Sequence, residues 1–160
     1  MKELLGDDTL VFNSDIVFDE RILDLALDYA VGSHDSFIVV DDQKELVDED
    51  MKINLSSSGF INRISKSLDN DRADGEYIGI MRISSRDREC YASKISELVL
   101  ANDVKRHYEY ALDQVVSKLQ APLKLHLVST QGFEWTEVDT EEDLDFARSL
   151  GCCKLHSKLT

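Results

Sequence analysis

Two carboxylates two positions apart, Glu137 and Asp139, stand in "FEWTEVDTEEDLDFARSL" (residues 133–150), directly ahead of a helix start. Along an extended run, residues i and i+2 point to one face, so the pair converges. Convergent hard oxygens suit Mg2+, with water and substrate phosphates completing its shell. An exposed strand face rich in acids would show the same spacing. Asp15, just past the apolar run "TLVFN" (9–13), is a third candidate. It lies beyond the C-terminal end of a strand, where open α/β sheets place their ligands. A loop acid or turn cap is the alternative there. If Asp15 meets the pair, the three make an oxygen-only Mg2+ site.

The acids that follow have a local explanation. Thr140 with Asp143 reads as a capping box, and Glu141 and Glu142 fall in a first turn, where the helix dipole favours negative charge.

These residues need elements to hold them. "TLVFN" reads as a short strand buried on both faces, and residues 19–31 as a helix with Ile22, Leu25, Ala26 and Tyr29 on one face. "SFIVV" (36–40) is a second buried strand, closed by Asp41 and Asp42, which completes a βαβ unit. "MKINL" and "FINRI" around "SSSG" signal a β-hairpin, with Lys66 just beyond it. "GEYIGIMRIS" (75–84) is a further strand whose Gly79 implies close approach of a ligand or of another backbone. Two helices follow. The second carries Tyr108, Ala111, Leu112, Val115, Val116 and Leu119 in one stripe. "LKLHLV" (123–128) is a strand, and a short strand plus helix ends the chain. The expected class is α/β: a mixed, mostly parallel sheet flanked by helices, with a β-hairpin insert, forming a single domain over 1–160.

Charge narrows the partners. Thirty-two acids against 18 bases give a net charge of −14, which disfavours nucleic acid and anionic membranes. A phosphate-rich ligand needs a bridging cation or basic groups supplied from elsewhere. No apolar run approaches a membrane span of about 20 residues, and the acidic opening is unlike a signal peptide. Three Cys (Cys90, Cys152 and Cys153) lack metal-ligand spacing and read as reduced thiols of a cytoplasmic protein. The four His are scattered without metal-ligand spacing.

"LVFNSDIVFD" (10–19), "GEYIGI" (75–80) and "WTEVDTEEDLDFA" (135–147) occur in the order and approximate spacing of the nucleotidyltransferase superfamily. The chain most resembles the choline-phosphate and aminoethylphosphonate cytidylyltransferase-like branch. The resemblance implies that Asp15, Glu137 and Asp139 bind Mg2+ and that Lys66 contacts phosphate. It also implies that the segment holding Glu76, Tyr77 and Gly79 borders the second substrate. The implied reaction is attack by a phosphate or phosphonate oxygen on the α-phosphorus of an NTP, CTP in this branch, with release of pyrophosphate. Family members begin with a Gly-rich, Arg-containing loop around the triphosphate. This chain has seven Gly and no such loop, so it resembles the C-terminal part of that fold. The expectations are therefore a fragment inactive by itself, active only with a separate N-terminal half, and prone to homo-oligomerise through an uncovered sheet edge. A degenerate, non-catalytic paralogue that binds a small ligand or a protein is the alternative. The acidic balance favours an acceptor with a cationic head, held by aromatic faces backed by carboxylates. Tyr77, Tyr108 and Trp135, with Glu76 and Glu109, are the candidates, although Tyr108 also lies on its helix's apolar stripe.

Overall fold

The computed structural model describes residues 8–101, 108–117 and 123–150. Its strands are β1 (Thr9–Phe12), β2 (Ile16–Phe18), β3 (Ser36–Asp41), β4 (Lys52–Leu55), β5 (Ile61–Ile64), β6 (Gly75–Ile83), β7 (Leu125–Ser129) and β8 (Trp135–Glu137). Its helices are α1 (Glu20–Gly32), α2 (Arg88–Leu100), α3 (Tyr108–Val116) and α4 (Glu141–Ser149), with a short 3-10 turn at Asn70–Arg72. Leu119, Cys152 and Cys153 lie outside the described residues.

Six strands form one sheet in the order β1-β6-β3-β7-β5-β4, with β4 also pairing the start of β6. Alternation along the central strands divides the core into two layers. In β3, Ile38 and Val40 join the cluster packed under α2 and α3, while Phe37 and Val39 join the cluster beneath α1. Leu112, Val115 and Val116 supply the apolar stripe of α3, and Ile22 and Ala26 that of α1. Each large aliphatic side chain so buried contributes roughly 1.5–3 kcal/mol from removal of its surface from water.

The mixed sheet, the flanking helices and the β4–β5 hairpin agree with the sequence reading. Its balance of directions does not. Only β3–β7 is parallel; β1–β6, β3–β6, β4–β5, β4–β6 and β5–β7 are all antiparallel. A central strand covered on both faces shows a continuous apolar run whichever way its neighbours point, so the run cannot report direction. β1 and β3 do run parallel to each other across α1, but β6 lies between them.

β1 is also not buried on both faces. Its residues are half-buried, Phe12 is exposed, and among the described residues it pairs with β6 alone. A further strand, β2, was not expected: it pairs antiparallel with β8 in a separate two-stranded ribbon. The ribbon's Ile16, Phe18 and Trp135 pack on the α1-side core.

Candidate functional site

The ribbon gathers the acids. Ile16 faces Glu137 in the β2–β8 register, and the Val138 N–H donates to the Asp15 carbonyl at 2.8 Å. Asp15 is thereby placed beside the segment carrying Glu137 and Asp139. The capping box forms as expected, with the Thr140 hydroxyl accepting from the Asp143 N–H at 3.2 Å and the Asp143 carboxylate accepting from the Thr140 N–H at 2.9 Å. The same carboxylate accepts from the Asp139 N–H at 3.2 Å. Asp143 is thus committed to the helix start, and in capping it steadies the backbone of Asp139.

Asp15, Glu137 and Asp139 line one cavity of about 220 Å3, together with Asn13, Glu49, Met51, Lys66, Glu76, Tyr77 and Glu109. Partial burial raises the Glu137 carboxyl, and the negative charges of Asp15 and Asp139 raise it further, while Lys66 acts in the opposite direction. Glu137 with two further carboxylates beside it forms an oxygen donor set of the kind that suits a divalent cation. They do not close into a finished shell: among the described residues, no three His, Cys, Asp or Glu side chains are gathered as a ready ligand set. A Mg2+ ion fits through one or two carboxylates, with substrate phosphate and water supplying the rest.

Lys66 is exposed and stands on the rim between this cavity and a neighbouring one of about 530 Å3 lined by Arg63, Ser65, Ser67 and Asp113. Arg63 is engaged there with Asp113 at 3.1 Å, and Asp113 also accepts from the Ile64 N–H at 2.8 Å. Glu109, buried on α3, lines both cavities.

The candidate aromatic residues do not come together as one cage. Tyr77 is buried in the α2/α3-side core, and its hydroxyl bonds that of Tyr108 at 2.8 Å. The Tyr108 hydroxyl is in turn 2.7 Å from the Asn13 side-chain oxygen. Burial pushes both phenols above their usual range, so they remain neutral donors and acceptors. They form the floor under the acids. Gly79 belongs to the same floor: at φ +87 it hydrogen-bonds the Asn13 N–H through its carbonyl at 2.8 Å, and an added Cβ would stand 2.8 Å from the Asn13 side chain. The close approach that a glycine in this strand implied is made by Asn13.

Trp135 faces a different cavity, of about 480 Å3, which shares Glu76, Glu137 and Asp139 with the first. Its indole N–H donates to Asp41 at 2.9 Å. The Lys44 ammonium lies 5.7 Å from its ring centroid and pairs with Glu76 at 2.5 Å and Asp50 at 3.2 Å. Burial nevertheless dominates at Glu76, raising its carboxyl to about 7 against the pull of Lys44. Lys44, Asp41, Asp50 and Asn13 have no local signal in the sequence. Their partners are set by contacts with β6 and β8 that lie far apart in the chain.

No family model matches the chain, and no curated protein matches it in sequence. Solved structures do match in fold. A UDP-glucose pyrophosphorylase from Acinetobacter baumannii is 14% identical, with a TM-score of 0.65 over 98% of this chain and 56% of its own. An inositol-1-phosphate CTP transferase from T. maritima is 14% identical, with a TM-score of 0.58 over 86% of this chain and 51% of its own. A Bacillus anthracis protein assigned as a glucose-1-phosphate thymidylyltransferase is 16% identical, with a TM-score of 0.63 over 92% of this chain and 56% of its own. This chain therefore spans about half the length of its structural neighbours, and what it shares with them is the nucleotidyltransferase fold.

Proposed function

We propose that this chain is the acceptor-side portion of a Mg2+-dependent nucleotidyltransferase that joins a nucleotide, CTP in our reading, to a small phosphorylated or phosphonate acceptor. The observation that carries the reading is the convergence of Asp15, Glu137, Asp139 and Lys66 on one cavity in a chain of this fold. A cytidine-transferring enzyme among the structural neighbours supports the choice of nucleotide.

The chemistry follows from the charges. A Mg2+ ion held there would supply charge neutralisation on the reacting phosphates and help align attack with departure of pyrophosphate. Asp15, Glu137 and Asp139, which line one cavity, are the residues that would hold it. Lys66, at the rim, holds the acceptor's phosphate as a mobile point charge. The Asn13–Tyr108–Tyr77 floor stays neutral and fixes the cavity wall. No protein nucleophile is required, because positioning and electrostatics supply most of the catalysis in transfers of this kind.

The test has two readouts. Mg2+ titrated into the 160-residue chain should perturb the amides of residues 13–16 and 136–140 in NMR spectra, and Asp139→Asn should weaken that binding at least tenfold. Pyrophosphate release from CTP should be absent for the chain alone and appear when it is fused behind a Gly-rich, Arg-containing triphosphate-binding segment. Mg2+ binding indifferent to both Asp139→Asn and Glu137→Gln would overturn the reading in favour of a non-catalytic binding module.

A further inference from the structure

We infer that helix α3 is a brace that fixes the acid arm and the lysine arm of the cavity to one another, with Tyr108 and Asp113 as its two positioning residues. This deepens the transferase reading above and rests on it, by naming what sets the place of the cation against the place of the phosphate.

Both arms begin where their strands stop. β1 ends at Phe12 and β5 at Ile64, so Asp15 and Lys66 lie beyond the strands and need other supports. Each support reaches the chain two positions ahead of the residue that lines the cavity. The Tyr108 hydroxyl donates to the Asn13 side-chain oxygen at 2.7 Å, just ahead of Asp15. The Asp113 carboxylate accepts from the Ile64 N–H at 2.8 Å, just ahead of Lys66. Both side chains come from one helix of nine residues. They start five positions apart, about 7.5 Å along the helix axis, so one rigid body grips both arms.

Each anchor is more than a single surface bond. Tyr108 is also bonded to Tyr77 at 2.8 Å, and the Asn13 N–H donates to the Gly79 carbonyl at 2.8 Å. The acid arm is therefore tied by backbone and side chain at one residue. Asp113 is 6% exposed, and the Arg63 Nε donates to the same oxygen at 3.1 Å, which balances a buried charge. Past Ile64, the Ser65 N–H donates to the Lys52 carbonyl at 2.9 Å and the Ser67 N–H to the Ser65 hydroxyl at 3.2 Å. Lys66 thus has an exposed side chain on a fixed backbone. Leu112, Val115 and Val116 hold the helix itself in the core.

A brace has a consequence that two local bonds do not. A cation on the acids and a phosphate on Lys66 meet at a set distance, so each raises the affinity for the other by the same factor. Rigid elements gripped at both sites carry such coupling. The factor is lost when either anchor lets its arm drift.

Mg2+ and inorganic phosphate are the probes, read by NMR on the amides of residues 13–16 and 65–67 of the 160-residue chain. Saturating Mg2+ should tighten phosphate at least fivefold in the native protein. Tyr108→Phe deletes one hydroxyl and keeps the ring; it should cut that factor below twofold while phosphate alone binds as in the native chain. Asp113→Asn should cut it below twofold while Mg2+ alone binds as in the native chain. An intact factor in folded Tyr108→Phe, or no coupling in the native protein, overturns the brace. Thermal unfolding shows whether each variant is folded, and if Asp113→Asn is not, Tyr108→Phe decides alone. Mg2+-dependent shifts at residues 13–16 without coupling to phosphate remove the brace and leave the metal reading intact, whereas absence of those shifts removes both.

Discussion

Glu76 and Glu137 are two glutamates on neighbouring cavities, both raised above the usual carboxylate range by partial removal from water, yet treated oppositely by their surroundings. Glu76 has a lysine at 2.5 Å. Glu137 has Asp15 and Asp139, with Glu109 beyond them, opposing its ionisation, and the exposed Lys66 favouring it. One acid cluster has a lysine paired into it, and the other has its lysine on the exposed rim. In the proposed reading, the acids without such a paired lysine are the ones that receive a cation from outside. That difference then sets the Mg2+-binding acids apart from an ion-paired cluster only one cavity away.

Removing the balance should have the largest effect. Lys44→Met leaves Glu76 and Asp50 facing each other in a buried place and should cost about 3 kcal/mol at neutral pH by chemical denaturation. The loss should depend on pH. Glu76 is raised to about 7 in the folded state, so its stabilising proton is held at low pH and released as pH rises through that value. Without Lys44 to favour the charged form, the folded pKa rises further. Stability should then fall more steeply between pH 5 and 8, and the deficit should shrink toward pH 5. A deficit independent of pH would break the contrast between the two glutamates.

Disturbing the floor should cost less and touch one side only. Gly79→Ala places a Cβ 2.8 Å from Asn13 at a φ of +87, which L side chains rarely adopt. About 2 kcal/mol of destabilisation is expected, with weaker Mg2+ binding and unchanged Trp135 emission. An altered Trp135 spectrum would show that the two cavities are mechanically coupled.

The smallest effect should have the opposite sign. Asp139→Asn removes one repulsive charge from Glu137 and should stabilise the protein by less than about 1 kcal/mol while weakening its response to Mg2+ at least tenfold. The gain should be present at neutral pH and vanish at acidic pH, where the carboxyls are protonated. Glu137 itself should titrate lower in the variant, which NMR of its side-chain carbonyl measures directly. Destabilisation would mean that Asp139 serves the fold and not a ligand.

What could be read from the sequence had short range. The Thr140–Asp143 cap depends on residues three apart and the β4–β5 hairpin on a turn between two apolar runs. The two-residue strand period expected to align Glu137 with Asp139 does not hold, because β8 ends at Glu137 and Asp139 lies in the bend beyond it. Helical stripes on α1 and α3 follow from the same local geometry. The order of motifs was enough to suggest the nucleotidyltransferase fold that the structural neighbours share. Tertiary structure decided everything that needs distant residues to meet. It made the sheet mostly antiparallel, because a fully covered strand shows the same apolar run in either direction. It set Tyr108 against Asn13, 95 positions away, and so turned two aromatic candidates into a buried floor. It placed Lys44 on Glu76, 32 positions away, and Trp135 on Asp41, 94 away. Periodicity records which face a side chain takes, whereas charge pairing across a sheet depends on register and on loop path, and neither is written in the spacing of any single segment.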